Sequence, residues 1–139
     1  MFELFEHTAD IGIRGFGKTR EEAFSEAAKA MLSVMVDLKS VSGKRKVELK
    51  EKADSAENLL AEFLNEILFT MDTKEMIFSE AKVKEIREEK GKFHLSAVLL
   101  GEKKSKNHRF MTEVKAATYS QLKVAEEEGK WVAQCIVDV

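Results

Sequence analysis

His7, Asp10 and Asp138 are the residues of this chain whose types and placement could do chemistry together. Asp10 stands in a short extended segment, with Phe2, Leu4 and Phe5 before it and Ile11 and Ile13 after. A carboxylate among apolar strand residues is costly to bury unless a cation or a hydrogen-bond donor meets it. Asp10 is therefore either a turn residue that caps its own backbone or a site residue. Its carboxylate partner is expected at the far end of the chain, in the closing strand Ile136-Val137-Asp138-Val139. If the two ends meet, Asp10, Asp138 and the terminal carboxylate of Val139 make an oxygen-rich nest suited to a hard cation. Those ligands are too few for a tight cage, so water or a partner would complete the shell. Oxygen-only ligands favour calcium, magnesium or manganese over zinc. His7 is placed either to support that site from behind or to fix its turn through a backbone hydrogen bond. The plain alternatives are an ordinary bend at Asp10-Ile11-Gly12 and a frayed terminal charge at Asp138.

Other chemistries find no footing. Gly12, Gly15 and Gly17 follow a strand but lack the spacing and the lysine-plus-hydroxyl ending of a phosphate loop. No Cys-x-x-Cys, His-Glu-x-x-His or Gly-x-Ser-x-Gly occurs. His94 alternates with Phe93 and Leu95 and is expected to face solvent or the far side of its sheet. His108, inside the run Lys103-Lys104-Ser105-Lys106-Asn107-His108-Arg109, is expected to be solvated. Cys135 lies in an apolar strand, where a small core residue is the expectation rather than a nucleophile. With no general base or nucleophile beside the acids in sequence, an independent metal hydrolase is disfavoured.

The chain of 139 residues fits a single domain, 1–139, long enough to bury a core. Hydrophobic content of 44% beside charged content of 35% is that of a folded, water-facing protein. No apolar run approaches the roughly 20 residues that span a bilayer, and the N-terminus lacks a signal-peptide pattern. The expected location is the cytoplasm, as a monomer, with the one cysteine fitting a reducing compartment. A net charge of −2 argues against a protein whose task is gripping phosphates, so RNA would be met only indirectly, through a protein partner. The absence of proline and the dominance of Lys and Glu match the composition of heat-adapted proteins.

Two helices must position these residues. Thr19-Arg20-Glu21-Glu22 is a capping box, and Phe24, Ala27, Ala28, Met31, Leu32 and Met35 recur at helical spacing over 19–36. Alanines at 23, 27, 28 and 30 allow close packing on a sheet. A second helix is predicted from Asp54 or Ser55, with Glu57 set for another capping box, and its stripe Leu60, Phe63, Leu64, Ile67, Leu68, Met71 belongs in the core. Val47 to Lys50 reads as a short strand. From Met76 the period becomes two, Lys90-Gly91 turns the chain, and 76–100 reads as a β-hairpin. Gly101 to Arg109 reads as a basic loop that is either plain solvated surface or a dock for an acidic surface or RNA. An extended run from Val114 to Val124 follows, then a turn at Glu128-Gly129 and a last strand with Trp131, Ala133, Cys135 and Val137 on one face. The pattern is α+β, two helices packed on mostly antiparallel sheet.

Several stretches together resemble the archease family. They are Phe5-Glu6-His7-Thr8-Ala9-Asp10-Ile11-Gly12, Gly17-x-Thr19 with Glu22-Ala23-Phe24, Ala28-x-x-Met31, Leu59-Leu60-x-Glu62-x-Leu64, the run Glu113 to Val124, Trp131, and Val137-Asp138-Val139. Many members carry His after Thr-Tyr where this chain has Ser120, so that position is given no role. The resemblance implies an archease-like α+β sandwich, related to a redox-regulated heat-shock chaperone. It also implies a non-catalytic accessory factor for the RtcB-type RNA ligase of tRNA splicing and RNA repair, one that promotes guanylylation by GTP and multiple turnover. It further implies a divalent-cation site, calcium foremost, at Asp10, Asp138 and Val139. The competing expectation is a chaperone-like binding module for RNA-processing enzymes.

Overall fold

The computed structural model describes residues 1–7 and 10–139, with only the backbone of His7. Two antiparallel strands, β1 (Phe2–His7) and β2 (Asp10–Gly17), open the chain. Helix α1 (Arg20–Met35) follows, with Thr19 as its cap: the threonine Oγ1 accepts from the Glu22 amide at 3.1 Å. A short 3-10 turn at Leu38–Ser40 leads to β3 (Arg45–Ala53). Helix α2 (Ala56–Lys74) is capped by Ser55, whose hydroxyl accepts from Asn58 N at 3.0 Å. Asn58 thus holds the position expected for Glu57, which instead places its charge in the first turn. The hairpin β4 (Met76–Glu89) and β5 (Lys92–Lys103) turns at Lys90-Gly91, both with positive φ, as a two-residue type I′ turn requires.

The remaining strands are β6 (Ala116–Ala117), β7 (Lys123–Glu127) and β8 (Lys130–Asp138). The extended run expected over 114–124 is broken. Thr118 Oγ1 donates to Ile136 O at 2.8 Å and Gln134 Nε2 donates to Gln121 O at 3.0 Å, so this segment bends away from the ladder with Gln121 at positive φ.

All pairs are antiparallel. One sheet has the order β1-β2-β8-β6, with β7 also on β8, and the other has the order β3-β5-β4. Helix α1 packs on β2 and β8 of the first sheet and on β4 of the second, while α2 lies on β3, β4 and β5 and reaches β6. The helices meet through Phe24 and Phe63, fully buried and stacked with ring centroids 6.2 Å apart. The edge of β4 is met by α1 side chains: Val83 N donates to Ser25 Oγ at 2.9 Å and Ile86 N to Glu21 Oε2 at 3.0 Å. Such cover blunts a strand edge that would otherwise template pairing with another chain. Among the described residues no helix is long and apolar enough to cross a membrane.

Candidate functional site

β2 and β8 lie side by side in the register Ile11↔Val137, Gly12↔Ile136, Arg14↔Gln134. Asp10 is the residue before Ile11 and Asp138 the residue after Val137, so both acids stand at one end of the strand pair. Side chains alternate along a strand. Asp10 shares its parity with Gly12 and Arg14, and Asp138 with Gln134 and Ile136, which sends both carboxylates out of one sheet face. The other parity of β2 carries Ile13 and Gly15 toward α1. Asp138 is no frayed end: β6 pairs Ala116 with it, and Lys115 N donates to its carbonyl at 2.8 Å. Val139 is half-buried against the core. From the other side β1 sets the His7 backbone opposite Asp10. The His7 side chain, Thr8 and Ala9 lie outside the described residues.

Two close approaches fix this end of the sheet. The ring of Phe5 lies over Gly12, where any Cβ would collide with it. On the opposite face Gly15 lets β2 press on the backbone of α1, and a Cβ there would overlap the Ala23 carbonyl oxygen and the Ala27 amide nitrogen. Further along the acids' face, Arg14 is held on three sides. It pairs with Glu3, its Nε donates to Gln134 Oε1 at 2.7 Å, and its guanidinium rides 4.5 Å above the Phe5 centroid. Charge-assisted bonds and a cation over a ring face make this a stiff strut behind the acidic end.

Carboxylate oxygens are the donors that calcium, magnesium or manganese take, so the chemistry of the set fits such a cation. Among the described residues no three His, Cys, Asp or Glu side chains converge as a metal site. Two side-chain carboxylates leave most of the roughly six to eight positions of a calcium shell to main-chain oxygens, water or a partner.

One ionisable cluster escaped the sequence reading. His108 is buried, not solvated. Its Nε2 meets Glu102 Oε2 at 2.8 Å and its Nδ1 accepts from Ser105 N at 3.0 Å, which places the neutral ring's proton on Nε2. Glu102 also accepts from Ser42 N at 2.7 Å. That amide bond first, and His108 second, hold its carboxyl below the usual carboxylate range. The lysine-rich loop hides an imidazole anchor, held by the Glu102 side chain six residues back and by the Ser105 main chain. His94, half-buried on β5, sits opposite Lys52 and Arg87 and has no acid across from it. Cys135 is buried and its thiol is pushed up to about 12 by loss of solvent, so it is no nucleophile.

Residues 2–139 match the archease protein family (MTH1598/TM1083). The chain is 42% identical over 139 residues to the protein archease of Methanosarcina barkeri, covering 99% of this chain and 95% of that one. It is 39% identical over 140 residues to the protein archease of Pyrococcus furiosus, covering 99% and 98%. Among solved structures, protein 1598 of Methanobacterium thermoautotrophicum superposes with a TM-score of 0.85 at 33% identity, over 99% of this chain and 98% of that one. An archease of Thermotoga maritima, described as a possible chaperone, shares the fold at TM-score 0.59 and 21% identity, over 100% and 98%.

Proposed function

The chain belongs to the archease family, and from that premise we propose that it is a non-catalytic accessory factor for an RtcB-type RNA ligase. It acts in the cytoplasm, in tRNA splicing and RNA repair, and reaches RNA only through the ligase. The observation that carries this reading is the pairing of β2 with β8, which sets Asp10 and Asp138 at one end and on one face of a sheet. Asp10, Asp138 and the terminal carboxylate of Val139 would hold a divalent cation; such oxygens serve calcium, magnesium or manganese, and the family resemblance puts calcium foremost. When bound, such an ion supplies positive charge that phosphate oxygens seek. The chain's own part is positional. Arg14, Phe5 and Gln134 stiffen the sheet behind the acids, so that the tip reaches a nucleotide cleft in one shape. Guanylylation needs the triphosphate aligned for in-line attack, and alignment with charge neutralisation is most of phosphoryl-transfer catalysis.

The test is a turnover assay of a cognate RNA ligase with and without this protein. The wild-type chain should promote guanylylation and raise the number of ligation cycles, while a folded Asp10→Ala variant should not. A ligase equally active in the absence of the wild-type chain overturns the proposal. A second reading, the chaperone-like module, draws on the exposed Phe69, Phe110 and Met111 and predicts suppression of client aggregation without dependence on nucleotide or metal.

A further inference from the structure

A groove of about 700 Å³ lies between the C-terminal half of α2 and the segment 110–115. Its floor is aliphatic and thioether, from Met35, Leu68, Met71 and Ile77 among others, and Phe69, Phe110 and Met111 stand at its walls. These three are 60%, 50% and 63% exposed, far more than bulky apolar residues need be when a core is available. Main-chain bonds hold the segment in place, with Met111 N donating to Met35 O at 2.8 Å and Thr112 N to Val34 O at 3.2 Å. The groove is therefore a formed surface of the fold. One end lies beside the acidic tip, because Lys115, which lines the groove, donates its amide to Asp138 O. A second cleft of about 330 Å³, lined by Arg45, Lys46, Lys74 and Lys103 against the single acid Glu75, neighbours the groove through the adjacent residues Thr73, Met76 and Lys103, which follow or precede Asp72, Ile77 and Lys104 of the groove. Among the described residues none of these four cations forms an ion pair.

We propose that this groove and the neighbouring basic cleft together form a docking surface for an acidic amphipathic segment of a partner protein. The partner's bulky apolar side chains enter the Met- and Phe-lined groove, and its carboxylates lie over the arginine and lysines. Methionine-rich grooves accept apolar helix faces because the thioether side chain adapts its shape. A nucleic acid fits the same surface less well. Phe69 and Phe110 offer faces on which bases stack, but the groove's own Lys104 and Lys115 are offset by Asp72 and Glu113, so its charges make no continuous basic track for a phosphate backbone, and a net charge of −2 gives no long-range pull on a polyanion. Only the partner's identity, the same RNA ligase, rests on the accessory-factor reading. The groove would then grip the ligase while the adjoining tip enters its nucleotide cleft.

The test uses the full chain, with a fluorescein-labelled peptide carrying Leu and Phe at helical spacing with Glu between them, a scrambled control of the same composition, and an oligouridylate, read by fluorescence anisotropy. Saturable binding of the amphipathic peptide is expected, weakened about tenfold by Phe69→Asp or Met111→Asp and about threefold, with lower salt sensitivity, by Arg45→Glu. All three positions are exposed, so thermal melts confirm that each variant folds. No saturable binding, binding indifferent to the variants, or tighter binding of the oligouridylate overturns the proposal. In ligase assays Phe69→Asp should raise the half-maximal stimulating concentration about tenfold yet reach full stimulation at saturation, whereas Asp10→Ala should lose stimulation and keep peptide affinity. A wild-type chain that fails to stimulate the ligase removes that partner alone, and the peptide titration still decides the groove.

Discussion

Gly15→Ala adds one carbon where β2 presses on α1, and its effect follows from the local geometry. The new Cβ would lie 2.9 Å from Ala27 Cα and closer still to the Ala23 carbonyl oxygen and the Ala27 amide nitrogen. All three are helix backbone, so no side-chain rotamer relieves the overlap. Helix and strand must part, and the fully buried Ala23, Phe24, Ala27 and Ile13 part with them. Overpacking of this kind costs typically 1–3 kcal/mol, and the rigidity of the obstacle puts Gly15→Ala at the upper end, about 2–3 kcal/mol. For a chain of this length that corresponds to a fall in Tm of roughly 5–15 °C. Gly43→Ala is the built-in control. Its Cβ would meet Leu100 Cβ and Ser79 Oγ at 3.5 Å, ordinary contact, in an exposed connection. That substitution should change stability by no more than about 0.5 kcal/mol, with a slight gain from the stiffer unfolded chain. The assay is scanning calorimetry on wild type and both variants at one protein concentration and pH. A Gly15→Ala protein melting within a degree or so of wild type would refute the claim that strand-to-helix contact fixes where β2 holds its acid.

The remaining predictions concern ionisable groups away from the candidate site. Glu102 has its carboxyl depressed in the fold, so the unfolded chain takes up the proton more readily. Its contribution is complete above the unfolded value near 4.5 and is lost as pH falls through the folded value. Chemical denaturation of wild type and Glu102→Gln should therefore show a stability difference that is largest near neutral pH and shrinks as the pH is taken below 4.5; a difference that grows on acidification would sink that assignment. His108→Ala should free the Ser105 amide to exchange with solvent and cost about 1–3 kcal/mol through the partners left unmet, read by hydrogen exchange and melting. Cys135 should resist an aromatic disulfide reagent in the native state and react fully once the chain is unfolded, because burial holds its thiol far above neutral pH.

What the sequence reveals here is what is encoded locally. Thr19 and Ser55 cap their helices through the residue three positions on, and the six-residue stripe of α2 is buried apart from the half-covered Leu68, so both helices are legible from spacing. Lys90-Gly91 marks the long hairpin for the same reason. Glu57 is misassigned as a capping partner because Asp54 and Ser55 are both competent caps and only packing chooses between them. The break after Ala117 is invisible because its hydrogen bonds go to Ile136 and from Gln134, groups supplied by a strand formed later in the chain. His108 reads as solvated since its sequence neighbours are lysines, while the burial comes from Glu102 and a fold of the loop onto itself. At the candidate site, Asp10 stands out as a charge among apolar strand residues, but only the β2–β8 register gives it a neighbour from the far end of the chain. Phe69 lies outside the core stripe of α2, and nothing local distinguishes an apolar wall of a groove from a stray surface residue.

The account turns on Asp10 and Asp138 acting as one unit at the end of β2 and β8. Its most direct test is the ligase turnover assay with Asp10→Ala, Asp138→Ala and the double variant, each shown to be folded by its melt. If the two acids hold one ion between them, either single substitution should abolish stimulation and the double should do no further harm, the non-additivity expected of groups that work together. Full stimulation by either single variant, or losses that simply add, would contradict it.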